Sequence, residues 1–308
     1  MNFDLSAQLK EELRRFGGLE DGVHGFINYN FAKRLRKKGV KIKTAVDWFE
    51  NHGRDRGWNY GFQKFHPETQ TLGYNMVFLS RWHLATSPLS IEREKKVLPS
   101  VILTPSRYLI NSIKKNDPKL NVKQTGSFRF PSPTRNTPTT GPLRILVPLS
   151  YKPDATWNSI NKVRDLFKSL QNSSKLGFQI RFKPHPSTPV KNLMIQKDKS
   201  LCRYEDWSYS NLSDELQTTD IVLGEWTFAL MESLNAGIPT GVIRSSDGLF
   251  HSSIPPVFLE TMNVNIESER SFMKLVKFAL QRRSERSNLK HSLLEKPSRN
   301  LALEVFGL

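Results

Sequence analysis

Cysteine is nearly absent from this chain: among 308 residues there is one, Cys202. No disulfide can close within the chain and no zinc site can be built on thiolates, so a reducing, cytoplasmic compartment is the natural expectation. Long apolar runs are missing too. No window reaches the roughly 18 apolar residues of a membrane span, and the opening MNFDLSAQLKEELRRFGG is polar and amphipathic, without the apolar core of a signal peptide. Membrane contact is therefore expected to be peripheral. Acidic residues are scarce: 29 Asp and Glu stand against 46 Lys and Arg, a net charge of +17. Such a surplus suits nucleic acid, an anionic membrane surface or phosphorylated ligands, or else marks a generally basic exterior. Also missing are helix-turn-helix spacing, a zinc pattern and an RNP-type aromatic strand. KRLRKK (33–38) and QRRSER (281–286) are thus basic patches with no nucleic-acid module around them, and no specific nucleic-acid partner is expected.

What is present suits about two globular domains, since 37% of residues are hydrophobic and 10% aromatic. Helices are predicted over 1–16 and 24–38, a strand at the start of 41–50 running into an aromatic and acidic loop, a mostly loop stretch with three glycines over 51–67, strands over 69–76, 98–106 and 121–130, and a helix over 107–115. PSPTRNTPTTGP (131–142) holds no large apolar residue and reads as a linker or a surface loop. LRILVPLSY (143–151) then begins an alternation of strand and helix. Strands are predicted at 143–151, 177–186, 221–226 and 238–243, and helices at 159–173, 212–220 and 227–237. This alternation predicts an α/β fold with a parallel sheet. The division expected is 1–130, linker 131–142, 143–290, and a helical tail over 291–308, within a basic helical stretch that starts near Ser268.

Two segments sit where a parallel sheet places ligands, beyond the carboxyl ends of strands. In DIVLGEWTFALMESLNAGIP (220–239) a buried strand ends at Gly224, which permits a tight turn and close ligand approach. Thr227 opens a helix and offers a hydroxyl to a phosphate or to the helix itself, while Glu232 could accept hydrogen bonds from ribose. The same pattern suits any βαβ unit with a capping threonine and a surface glutamate. In RFKPHPSTP (181–189), Lys183 is a point charge suited to phosphate, and His185 is held between two prolines that fix the local backbone.

The KPHP tetrapeptide followed by D-I-V-L-G-x-x-T-x-A-L-M-E-S-L-x-x-G-I-P resembles the donor domain of bacterial GT-B glycosyltransferases, especially those of surface carbohydrate (O-antigen and capsule) biosynthesis. A KPHP motif is similarly placed in polysialyltransferases and CDP-glycerol glycerophosphotransferases. Trp48-Phe49-Glu50-Asn51, Gly57-Trp58-Asn59 and Gly73-Tyr74 resemble the N-terminal part of the same group. The resemblance spans about residues 41–245. It implies two facing Rossmann-like domains with parallel sheets, the N-terminal one short, and a nucleotide-sugar held mainly by the second. Lys183, His185, Gly224 and Thr227 would then form the phosphate pocket and Glu232 would hold the ribose. Neither a metal nor a cofactor is implied, in keeping with the lack of an Asp-x-Asp pair. Glu225 and Trp226 stand where many relatives carry small or hydroxyl residues, which would bring a carboxylate beside the phosphate.

Inverting transfer needs a base for the acceptor hydroxyl. Asp47, Glu50, His52 and Asp55 are candidates, with Glu50 favoured because it follows a strand beside Trp48 and Phe49. Asp47, Trp48, Asn51, Trp58 and Asn59 make up the expected acceptor side, where tryptophans stack on sugar rings or simply pack in the core. The reading that follows is transfer of a sugar from a nucleotide-activated donor to a glycan or lipid-linked acceptor, near an anionic membrane surface. The alternatives are glycerophosphate transfer from a CDP donor, an inactive scaffold, and a basic nucleic-acid-binding protein.

Overall fold

The computed structural model describes residue 6 and residues 19–76, 87–128, 141–173, 177–188, 205–225, 227–243, 254 and 263–284. Apart from Ser6, Gly141 and Pro142, the expected helix over 1–16 and linker over 131–142 lie outside these residues, as does the tail over 291–308. The described residues fall into two compact units, 19–76 with 87–128 and 141–284. No described helix is long and apolar enough to cross a membrane.

The first unit carries α1 (Leu19–Lys37), β1 (Thr44–Trp48), α2 (Gly53–Phe65), β2 (Gln70–Tyr74), α3 (Ser90–Glu94), β3 (Val101–Thr104), α4 (Arg107–Ile113) and β4 (Val122–Gln124). Its four strands are parallel and lie in chain order, β1-β2-β3-β4. The largest departure from the sequence reading is α2, which occupies the stretch expected to be loop. Its glycines are contact points rather than breaks. Gly53, Gly57 and Gly61 recur every four residues and so line one helix face, which meets Gly25, Tyr29 and Ala32 of α1. A Cβ on Gly57 would lie 1.9 Å from the Gly25 carbonyl oxygen, and one on Gly61 would lie 3.0 Å from the Tyr29 Cα. The helix start is fixed by Asp55, whose Oδ2 accepts backbone N–H bonds from Glu50 at 2.9 Å and His52 at 3.0 Å.

Behind that start lies a polar pair, a buried Asn59 and a partly buried Asp47. Asn59 donates from Nδ2 to Asp47 Oδ2 at 3.1 Å, and to the Asp55 carbonyl at 2.8 Å. Asp47 Oδ1 and Asn59 Oδ1 are both buried without a hydrogen-bond partner. Burial, and secondly the negative charge of Asp55, push the Asp47 carboxyl up to about 7, against the pull of the Asn59 bond. Burial also raises Asp55, opposed by its two backbone donors. A protonated Asp47 has a hydrogen to offer, and the buried Asn59 Oδ1 is an acceptor lacking one.

The second unit carries β5 (Leu143–Pro148), α5 (Pro153–Ser173), β6 (Phe178–Lys183), β7 (Glu205–Trp207), α6 (Leu212–Thr218), β8 (Ile221–Gly224), α7 (Ala229–Asn235), β9 (Thr240–Ile243), β10 (Asn263–Ile266) and α8 (Glu269–Ser284). The order is β10-β9-β8-β5-β6-β7 and every pairing is parallel. The chain thus winds outward from β5 in both directions, the doubly wound Rossmann pattern. Ile160, Val163, Phe167 and Leu170 of α5 and Phe272, Leu275, Val276 and Ala279 of α8 bury their stripes on Ile145, Val147, Ile180 and Phe182. α5 begins six residues before the predicted Ser159, while β7, β10 and α3 are too short to be read from periodicity. Gly237, at φ 72°, ends α7 as expected: its N–H bonds the Leu234 carbonyl, and that of Ile238 bonds the Ser233 carbonyl. At the opposite edge, Arg283 grips the buried Asp220 through Nε at 3.0 Å and a second nitrogen at 2.5 Å. It also donates to the Gly141 and Pro142 carbonyls.

The first unit yields three stability predictions. Gly57→Ala forces α1 and α2 apart and should cost at least about 2 kcal/mol in urea unfolding. Gly22→Ala, where nothing lies within 4 Å of the new Cβ, should be neutral or stabilising by about 0.5–1 kcal/mol. Asp47 binds its proton more tightly in the folded chain than in the unfolded one, whose value is about 3.9. Its stabilisation is complete below about pH 4 and is lost as the pH rises through 7. Urea titrations from pH 4 to 8 should therefore show wild type losing up to about 4 kcal/mol relative to Asp47→Asn; parallel curves would contradict this burial.

Candidate functional site

Because all six strands of the second unit run the same way, their carboxyl ends share one edge, and the loops after β5, β6 and β8 meet there. In strand order β5 lies between β6 and β8, so the loops bearing His185 and Thr227 flank it, about 10 Å apart at normal strand spacing. This is the topological switch point, where doubly wound sheets take their ligands. The His185 ring lies against Tyr151 of the β5 loop, with centroids 6.0 Å apart. Thr188 donates its hydroxyl to the Tyr151 carbonyl at 3.1 Å. Ser187 donates its N–H to His185 Nδ1 at 3.3 Å, and its hydroxyl lies 2.7 Å from the same nitrogen. With Nδ1 accepting, the ring proton sits on Nε2. Burial lowers the His185 pKa, so the ring is a neutral donor at pH 7.

On the other flank Gly224 is buried so tightly that a Cβ would lie 3.2 Å from the Thr227 methyl and 3.4 Å from the Pro148 carbonyl. Thr227, one residue before the N-cap Phe228, accepts the N–H of Ala229, the first residue of α7, on Oγ1 at 3.3 Å. That helix starts two residues later than the sequence suggests. Glu232 is its partly exposed residue; Ala229, Leu230, Met231, Ser233, Leu234 and Asn235 are all buried. Glu225, expected to crowd the phosphate, accepts a 2.5 Å hydrogen bond from Asn158 of α5. The carboxylate is therefore tied down between β8 and α5. Lys183 is also committed: its ammonium donates to the Ser210 carbonyl beyond β7. Burial lowers its pKa, with Glu215 acting in the opposite sense. Tyr151, Asn158 and Thr188 were not singled out from the sequence. The only signal was the hydroxyl and aromatic ending of LVPLSY, at the end of the first strand.

A cavity of about 460 Å³ lies between α5 and the carboxyl ends of β8, β9 and β10, against Val163, Leu166, Leu223, Ile243 and Ile266. Its charged lining is Asp165, Glu267, Glu269 and Lys162, a net negative set unsuited to a phosphate. Among the described residues no group of three or more His, Cys, Asp or Glu could hold a metal ion.

In the first unit the acceptor-side candidates gather around the end of β1 and the start of α2. Trp48 is half exposed, stands edge-on to Tyr74 with centroids 5.9 Å apart, and donates its indole N–H to Glu50 Oε1 at 2.6 Å. The second Glu50 oxygen is 3.9 Å from His52 Nε2. Asn51 is buried at φ 60°, a left-handed turn that asparagine tolerates. Its Nδ2 reaches both Glu92 oxygens, at 3.3 and 3.4 Å. Glu92 also binds Arg56 at 2.6 Å and the Leu89 N–H at 2.7 Å, so Asn51 joins α3 to α2. Asp47, partly buried, and the buried Asn59 form a pair beneath this turn. Trp58 stacks on Phe31 at 6.0 Å and tilts against Phe62 at 4.7 Å, within the packing of Ala32, Ala45 and Phe62. Trp48 and Glu50 are thus the accessible members of the group, while Asp47, Asn51 and Asn59 shape the turn that carries them.

The chain matches no protein-family model and no curated protein. Solved structures do resemble it. MnaA of S. aureus, solved with UDP, has a TM-score of 0.54 and 10% identity over 84% of this chain and 72% of that one. The UDP-GlcNAc 2-epimerase of Methanocaldococcus jannaschii, in complex with UDP-GlcNAc and UDP, has a TM-score of 0.52 and 12% identity over 83% and 74%. The accessory secretory protein 1, 2 and 3 structure of Streptococcus pneumoniae matches at TM-score 0.46 and 13% identity over 84% of this chain, which spans 50% of that one. At such identities the likeness to the first two establishes the fold alone: two α/β units with parallel, Rossmann-type sheets, as in GT-B-like proteins.

Proposed function

We propose that this chain is a glycosyltransferase that takes a nucleotide-activated sugar on its second unit and passes the sugar to a glycan or lipid-linked acceptor in bacterial surface polysaccharide synthesis. The observation that carries the reading is the meeting of the β5, β6 and β8 loops at the switch point, with the Nε2–H of a neutral His185 as its donor. Solved proteins of the same fold hold UDP and UDP-GlcNAc, which supports a nucleotide diphosphate as ligand. His185 Nε2–H bonds a phosphate oxygen, the Thr227 hydroxyl and nearby backbone N–H groups complete the pocket, and Glu232 accepts from the ribose. Lys183 adds positive charge once released from the Ser210 carbonyl. The departing diphosphate is stabilised by these donors, with no metal or cofactor in the step. Glu50, oriented by the Trp48 indole, takes the proton from the acceptor hydroxyl as the sugar moves. The protein works at the cytoplasmic face of an anionic membrane.

Thermal-shift and calorimetric titration with UDP-, GDP-, CMP- and CDP-linked donors tests the pocket. One nucleotide class should stabilise the protein, by about 2.7 kcal/mol at a hundredfold excess over Kd. His185→Ala should weaken that binding about tenfold or more, as expected for losing a hydrogen bond to a charged group. Stabilisation by no nucleotide overturns the reading, and preference for CDP-glycerol redirects it to glycerophosphate transfer. Glu50→Gln should slow transfer by about 10²–10⁴ with donor affinity intact, and EDTA should leave the rate unchanged. Isomerised donor formed without acceptor would reassign the chemistry to that of the M. jannaschii epimerase.

A further inference from the structure

Helix α1 has two faces. Gly25, Tyr29 and Ala32 meet α2, and Phe31 reaches Trp58 of that helix, whereas Val23, Phe26 and Ile27 are 48, 67 and 56% exposed. At 100° per residue those three side chains fall within an arc of about 100°, opposite Gly25 and Ala32. Isolated exposed apolar residues are ordinary, but a contiguous set on one helix face marks an interaction surface. The following turn extends the same outer face with Lys33, Arg34 and Lys37, and Lys38 lies just past its end. All four are exposed, and none has an acidic partner among the described residues. Their neighbour Arg36, which points away from this arc, is paired with Glu68 at 2.9 Å. The face is therefore apolar along its first half and uncompensated positive charge along its second.

We propose that the outer face of α1 docks on an anionic lipid surface, with the helix lying in the plane of the interface. Phe26 and Ile27 enter the boundary between headgroups and acyl chains, where an amphipathic helix seats its apolar side. Lys33, Arg34, Lys37 and Lys38 bind lipid phosphates in the same plane. Charge selects this occupant. A second copy brings the same four cations to the contact, and a nucleic acid satisfies the cations but leaves Val23 and Ile27 facing water. This surface stands independently of the transferase reading, since no residue of the proposed donor or acceptor site belongs to it.

Co-sedimentation of the full chain with vesicles tests the proposal, using phosphatidylcholine alone or mixed with phosphatidylglycerol. Wild type should bind the mixed vesicles and not the neutral ones, with binding that weakens as salt is added. Phe26→Ser/Ile27→Ser and, separately, Lys33→Glu/Arg34→Glu/Lys37→Glu/Lys38→Glu should each lower the partition coefficient at least about tenfold. Circular dichroism and melting should stay unchanged, because these side chains point outward. Absence of wild-type binding to mixed vesicles, or its retention in both variants, overturns the proposal. So does a sedimenting dimer that Phe26→Ser/Ile27→Ser converts to monomer, which would make a second copy the occupant. Duplex DNA binding that depends on the four cations but not on Phe26 and Ile27, without vesicle binding, would overturn it as well.

Discussion

The constraint on which the second unit rests is the uniform direction of its strands. Six parallel strands gather every carboxyl end along one edge, and starting the winding at β5 leaves that strand with a neighbour on either side reached by opposite crossovers. Helices cannot fill the gap where the winding reverses, so loops do. The segments after Pro148, Lys183 and Gly224 are brought together by topology before any side chain is chosen. The side chains then fix details: Tyr151 against His185, Thr227 folded over Gly224, and Asn158 holding Glu225.

The first unit depends on a different economy of space. Its sheet is small and its densest packing lies between two helices whose backbones touch. Glycine at every fourth position of α2 lets that approach happen, and the aromatic residues between them, Trp58 and Phe62, pack beside it. Asp55 and Asn59 emerge from the same helix toward β1, one capping the helix start and the other holding Asp47. The accessible pair, Trp48 and Glu50, is thus carried on a turn braced from beneath by buried polar contacts and from the side by the Asn51–Glu92–Arg56 network.

Much of the α/β architecture was legible in the sequence, because long apolar runs such as LRILVPLS and helical stripes such as that of α5 state their period openly. The same holds for Gly237, whose left-handed turn ends α7. Other elements hid for identifiable reasons. The glycines of α2 look like loop to any reading based on intrinsic preference, since their value comes only from a second helix. β7 and β10 hold three and four residues, too few for a period of two to declare itself. At the candidate site the strand ends could be located, and with them His185, Gly224 and Thr227. The partner of each polar group could not: the Asn158 bond of Glu225, the Ser210 bond of Lys183 and the partial burial of Asp47 arise from residues distant in the chain.

The Arg283 clamp has a topological meaning. One guanidinium holds Asp220 and, with its remaining hydrogens, the carbonyls of Gly141 and Pro142. The last described turn of α8 is thereby stapled to the first residues that lead into β5. Residue 141 and the last described turn of α8 thereby share one corner, at the amino ends of β5 and β8. A segment whose ends adjoin, as residues 141 and 283 do here, is one that can be rejoined end to end or inserted within another chain, with the junction away from the carboxyl edge of the sheet.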